Sequence, residues 1–173
     1  MWSACGCTSA SMVIGEQTVF DNIRKAQPGA RCTTPNTAAL AAFAAFGARR
    51  IGVLTPCSAA VNRIVADCIA GRGCTVPVFG SFNQERDMVA RSSPQSIAQG
   101  VRELRRHAAV DAVCVSCTAV RLVDACRELE TRIGIALTSS NQALAWHALR
   151  LGGIADQLPK FDSLFTLALR AED

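Results

Sequence analysis

Apolar positions along this chain fall into two rhythms that take turns. The run "RRIGVLTP" is short, β-branched and stopped by Pro56, which predicts a buried strand. Residues 58–70 follow with Val61, Ile64, Val65 and Cys68 at helical spacing, and Gly71 and Gly73 supply stop signals. "CTVPVFGSF" predicts a second strand, opening into a polar loop over 83–91. Ser93 and Pro94 then start a helix, Ser as N-cap and Pro in the first turn, whose apolar positions are Ile97, Val101 and Leu104. "VDAVCVSCT" is nearly continuous in apolar residues, the pattern of a strand covered on both faces. A helix over 120–133, a strand in "GIALTSS" and a helix over 141–151 complete the series. Upstream, 19–26 and 37–46 read as helices flanking a short extended piece, "ARCTTP", and 162–170 reads as a last helix. The chain opens inside what reads as a strand. Strict alternation of strand and helix implies α/β architecture with a parallel sheet and right-handed crossovers.

Composition narrows the class. Half of the 173 residues are apolar, enough for one large or two small domains. The net charge of +4 is scattered, Tyr is absent and aromatics make up 5%, so a base-stacking platform for nucleic acid has little to be built from. No apolar run approaches membrane-spanning length, and no signal peptide is evident. Nine cysteines lie in apolar runs and on helix faces instead of short stapled loops, so reduced thiols in a cytoplasmic protein are expected.

Two of those cysteines stand apart. "SACGCTSAS" and "VCVSCTAV" each carry a Cys-Thr pair where an apolar run stops. Cys5-x-Cys7 and Cys114-x-x-Cys117 could be read as zinc half-sites. Side chains alternate along a strand, however, so Cys114 and Cys117 point to opposite faces, and neither corner has a His nearby. No metal is expected. Cys114, Cys68, Cys74 and Cys126 occupy apolar periodic positions and read as core, and Cys32 as structural. Cys7 and Cys117 sit at strand ends, where open parallel sheets bind ligands and where free N–H groups stabilise a thiolate. Those N–H groups, with the hydroxyls of Thr8, Ser9 and Thr118, could hold a carboxylate. A packed thiol is an equally good reading of either corner alone; the repetition favours a site. Two thiols from two units can serve as thiolate and acid in one reaction. His107 and His147 fall on predicted helices, as surface or packing residues.

In "CTSASMVIGE", "TTPNTAALAAFAAFGARRIGVLTP", "GSFN", "DAVCVSCTAVR" and "TSSNQALAWHALRLGGI" the chain resembles the aspartate/glutamate racemase superfamily, and within it the maleate isomerase and ectoine-utilisation branch. The resemblance implies two pseudo-symmetric parallel-sheet α/β domains with the site between them. It divides the chain into a partial first domain (1–46), a second domain (47–140) and C-terminal helices returning to the first (141–173). It makes Cys7 and Cys117 the paired catalytic cysteines and places Thr8, Ser9, Asn83 and Thr118 where the family binds substrate carboxylates. In maleate isomerases the first cysteine adds to the double bond, and the second assists as acid or base, with no metal or organic cofactor.

The chain departs from the family pattern twice. Members carry a further βαβ portion ahead of the first Cys-Thr corner, so the first domain is expected to be N-terminally truncated. In "LTPC", Cys57 stands where the family commonly has Tyr, so a weak S–H donor replaces a phenol and is expected to weaken carboxylate binding or change the substrate. The expected function is a cofactor-independent isomerase of a small carboxylate or dicarboxylate, working through Cys7 and Cys117 as a homo-oligomer. The alternatives are an amino-acid racemase of the aspartate/glutamate type and an inactive truncated homologue that only binds or associates. A decarboxylase of the arylmalonate type ranks behind them, because paired cysteines suit two-sided proton transfer.

Overall fold

The computed structural model describes residues 1–83 and 92–170 of the chain. It holds two parallel sheets. In the smaller one, β1 (Trp2–Ala4) pairs with β2 (Arg31–Thr33). Between them run α1 (Thr8–Ile14) and α2 (Glu16–Ala26), followed after β2 by α3 (Pro35–Phe46). The larger sheet contains β3 (Arg50–Thr55), β4 (Thr75–Ser81), β5 (Ala112–Val115) and β6 (Ala136–Ser139), in the order β4-β3-β5-β6. Its helices are α4 (Ala59–Ala70), α5 (Pro94–His107), α6 (Cys126–Ile133) and α7 (Ser140–Leu151). The mixed α/β fold with parallel sheets is the one expected from the alternating pattern.

Alternation along each strand builds a core on each face of the larger sheet. Ile51, Val53, Ala112 and Cys114 face α3, α4 and α7, where Phe43, Ile69 and Trp146 are buried with them. Leu54, Val113, Val115 and Leu137 face α5 and α6, against Ile97, Val101, Leu104 and Leu129. Full burial of one such side chain contributes about 1.5–3 kcal/mol. The α5 helix lies close enough to the strands that a Cβ on Gly100 would stand 2.9 Å from Leu54 Cδ2, so only glycine fits there without repacking.

Helix starts follow their capping residues. Thr34 accepts from Thr37 N at 3.1 Å, with Pro35 in the first turn of α3. Ser93 accepts from Ser96 N at 3.1 Å and starts α5 in the same way. Glu16 reinforces the start of α3, taking bonds from Thr34, Asn36 and Thr37.

Three expectations need correction or qualification. The helix expected over 120–133 begins only at Cys126, because Asn141 Nδ2 donates to the carbonyls of Thr118 and Val120 and holds the preceding segment as turns. The helix expected over 162–170 is a single 3₁₀ turn, Leu164–Thr166. Its neighbouring carbonyls are already used: Phe165 O accepts from Arg150, and Leu167 O from Arg150 and from Trp146 Nε1. The polar loop expected over 83–91 falls, beyond Asn83, outside the described residues.

The strand order positions the site. The chain leaves β3 through α4 to reach β4 on one side, then returns through α5 to β5 on the other side of β3. The carboxyl ends of β3 and β5 therefore flank a topological switch point, where doubly wound sheets open a crevice.

Candidate active site at the ends of β3 and β5

A cavity of about 560 Å³ opens at that crevice. Its walls come from three places: Cys7, Thr8 and Ser9 at the start of α1; Cys57 and Ser58 after β3, with Val61 and Val65 on α4; and Ser116 to Ala119 after β5. Among the described residues no charged side chain lines it, and the residues that do line it offer N–H, O–H and S–H donors to a carboxylate.

Each wall is fixed by its own bonds. Ser116 N donates to Leu54 O at 2.9 Å, extending the β3–β5 ladder to the cavity edge. Cys57 is held through its backbone: its N–H donates to Thr55 Oγ1 at 3.1 Å, and its carbonyl accepts from Asn62 Nδ2 at 3.1 Å and Ser81 Oγ at 2.6 Å. The N-cap Cys7 keeps an extended backbone, and its carbonyl accepts from Ser11 N at 3.2 Å. Its exposed Sγ lies 4.0 Å from Ser9 Oγ.

Cys117 and Cys57 form one acid–base unit. The Cys57 S–H donates to Cys117, and the N–H groups of Ala119 and Val120 point at the same sulfur, so Cys117 is lowered to about 6 despite its burial. Cys57 is raised for the complementary reason, because its proton is held against the Cys117 thiolate, with burial adding to the effect. Of the two thiols, Cys117 is therefore the more acidic. Cys114, three residues earlier, points into the core below the sheet, where burial raises it to about 12.

The structure brings together Cys7, Thr8, Ser9, Cys117 and Thr118 from the sequence reading. Thr8 is buried and its hydroxyl is engaged by Ser140. Asn83 is not among the cavity-lining residues: it is exposed past the end of β4, at φ 45°, with its N–H donating to Ser81 Oγ at 2.9 Å. Sequence reading treats Cys57 as a replacement for Tyr and omits its partner; it also omits Ser58, Ser116 and Ala119. The signal was present, since β3 ends at "LTPC" just as β5 ends at "VSCT". Of the two histidines, His107 is exposed and pairs with Glu103, and His147 is buried with Nδ1 2.8 Å from Thr33 Oγ1. Among the described residues no cluster of three or more His, Cys, Asp or Glu is placed to hold a metal ion, and no helix is long and apolar enough to cross a membrane.

Comparison with known proteins gives the family and the fold. The profile of the arylmalonate decarboxylase family matches residues 8–165. The arylmalonate decarboxylase of Bordetella bronchiseptica is 31% identical over 145 residues, covering 79% of this chain; the chain spans 58% of that relative's length. A crystal structure of arylmalonate decarboxylase superposes with a TM-score of 0.82 at 27% identity, over 94% of this chain and 73% of the other. The maleate cis-trans isomerase of Nocardia farcinica, solved with a covalently bound succinylcysteine intermediate, superposes with a TM-score of 0.83 at 19% identity, over 94% of this chain and 70% of the other. The maleate isomerase likeness is therefore one of fold, whereas the likeness in sequence runs to arylmalonate decarboxylase. With the family profile matching residues 8–165, most of its length, this chain belongs to the arylmalonate decarboxylase family.

Proposed function

We propose that the protein is an isomerase of a small carboxylate that works through Cys7 and Cys117 and needs no metal or organic cofactor. The observation that carries this reading is a pair of cysteines, Cys7 and Cys117, on separate walls of one cavity; the lowered pKa of Cys117 supports it. In the racemising form, the Cys117 thiolate takes the α-proton: the C–H bond breaks, an S–H bond forms, and the electron pair moves into the carboxylate as an enediolate. The Cys7 S–H returns a proton to the other face of that carbon. In the cis-trans form, Cys117 takes the Cys7 proton and the Cys7 sulfur bonds to one carbon of the double bond. The π pair moves onto the other carbon and its carboxylate as an enediolate, to return when the thiolate is expelled. Rotation about the resulting single bond and elimination of the thiolate give the trans product. Ser9, Ser58, Ser116 and Thr118, with the free N–H groups beside them, hold the substrate carboxylate.

A second reading, decarboxylation of a malonate-type substrate, is favoured by the sequence likeness to arylmalonate decarboxylase. There a C–C bond breaks, carbon dioxide leaves, and one thiol protonates the enediolate left behind. A group poised as a thiolate suits proton removal better than proton delivery, which supports the isomerase reading.

Proton NMR in heavy water separates these reactions. The purified protein is given maleate, acidic amino acids, acetylated diaminobutyrate and an arylmalonate in turn. Fumarate from maleate, or deuterium entering an α-position without loss of carbon, supports the isomerase. Loss of carbon dioxide from the arylmalonate alone replaces it with the decarboxylase. Silence on every substrate from a folded sample favours a homologue that binds without turnover.

A further inference from the structure

The cavity holds one thiol more than the proposed reaction uses. Cys57 and Cys117 follow adjacent parallel strands, whose register pairs Leu54 with Val115 and continues in the bond from Ser116 N to Leu54 O. Both line the same cavity and both are half-buried, one on the wall after β3 and the other on the adjoining wall after β5. We propose that this pair is a reversible redox lock: a hydroperoxide converts Cys57 and Cys117 to a disulfide that closes the site, and a dithiol reopens it.

The chemistry balances without any group beyond the hydroperoxide. The Cys117 thiolate attacks the peroxide; an S–O bond forms, the O–O bond breaks, and the outer oxygen leaves as hydroxide or alkoxide, which is then protonated. Cys117 is now a sulfenic acid and no longer negative, so the charge that held the proton on Cys57 is gone. Cys57 loses its proton and its sulfur attacks; the S–S bond forms, the S–O bond breaks, and water leaves. The two cysteines give up two electrons together, and the hydroperoxide accepts them. A thiolate beside a second cysteine, reachable from a solvent-open cavity, is the arrangement that redox-sensing pairs require. Cys114 and Cys126 are buried in the cores, and Cys7 comes from α1, so within the cavity Cys57 is the cysteine on the strand end adjoining that of Cys117.

That locking stops turnover rests on the role proposed above for Cys117; the bond itself does not, and its test needs no substrate. The folded protein is treated with hydrogen peroxide, alkylated, digested with trypsin and mapped by mass spectrometry without reduction. Peptide 51–63 carries Cys57 as its single cysteine, 107–121 carries Cys114 and Cys117, and 1–24 carries Cys5 and Cys7. The expected product joins 51–63 to 107–121, with fragmentation placing the link at Cys117, and dithiothreitol restores both peptides. In Cys57→Ser the same treatment drives Cys117 to sulfinic acid, which dithiothreitol does not reverse. A link from 107–121 to 1–24, over-oxidation of Cys117 in the unmodified protein, or no change at Cys117 would each overturn the proposal. If the link forms while activity is unaffected, the lock stands and the assigned role of Cys117 falls.

Discussion

Thr8 and Ser140, separated by 132 positions, share a hydrogen bond in which the Thr8 hydroxyl donates to Ser140 Oγ at 3.1 Å. The bond ties the first residue of α1, next to Cys7, to the first residue of α7 at the end of β6. Thr8→Ala removes the donor and leaves a buried hydroxyl without it, which costs about 1–2 kcal/mol of stability. It also frees the α1 end that positions Cys7, so turnover falls about tenfold. Thr8→Ser restores both. Urea melts beside turnover rates test this, and an unchanged rate in a destabilised Thr8→Ala protein would confine Thr8 to folding.

Cys7→Ser and Cys117→Ser each lower turnover by about a thousandfold or more, since a serine hydroxyl does not ionise near neutral pH. Cys114→Ser keeps turnover within a few fold, while its buried hydroxyl costs about 1–3 kcal/mol. Steady-state rates of the three variants decide the matter. Equal loss in all three would point back to packing.

The Cys57–Cys117 pair sets an acid limb for the reaction. Cys117 is lowered, so its thiolate is present above about pH 6 and is lost as the pH falls through that value. Cys57→Ala removes the largest cause of the lowering, and the acid limb and the ultraviolet thiolate absorbance both move to higher pH. Cys57→Ser supplies an O–H donor and recovers part of the shift. A Cys57→Ala protein whose thiolate titrates at the original pH would remove Cys57 from the unit.

Asp162 carries a pH signature away from the site. Burial raises its carboxyl to about 6, with the Glu130 charge also raising it, although Phe165 N donates to it at 3.2 Å and Gln142 Nε2 at 2.8 Å. A carboxyl raised on folding favours the native state below its unfolded value, and that contribution is lost as pH rises through about 6. The swing amounts to about 3 kcal/mol. Denaturation of the wild type against Asp162→Asn, compared between pH 4 and 7, isolates it. The difference between the two proteins should change steeply across that window; a flat difference rejects the assignment.

Much of this was legible in the sequence. Pro56, Gly71 and Ser93 mark the boundaries of β3, α4 and α5, because each acts locally, through backbone geometry or a side-chain cap, and neighbours do not override it. Cys7 and Cys117 were legible because both end an apolar run, and strand ends are where parallel sheets bind ligands. What was lost depended on contacts distant in sequence. Asn141 suppresses helix after Cys117 by capturing the carbonyls of Thr118 and Val120, and Arg150 and Trp146 do the same for the tail. The pairing of Cys57 with Cys117 follows from strand order, which places β5 and not β4 beyond the switch point, and no local pattern encodes that order.

The backbone of residue 57 is anchored by Thr55, Asn62 and Ser81 through its N–H and carbonyl alone. Nothing in that anchorage involves the thiol. The position is therefore an adjustable socket: a hydroxyl or a methyl, neither larger than the thiol, can be installed without disturbing those bonds. Each would reset the proton affinity of the neighbouring sulfur and the shape offered to a substrate. A fold with such a socket can change what it acts on by one substitution, and its stability need not change with it.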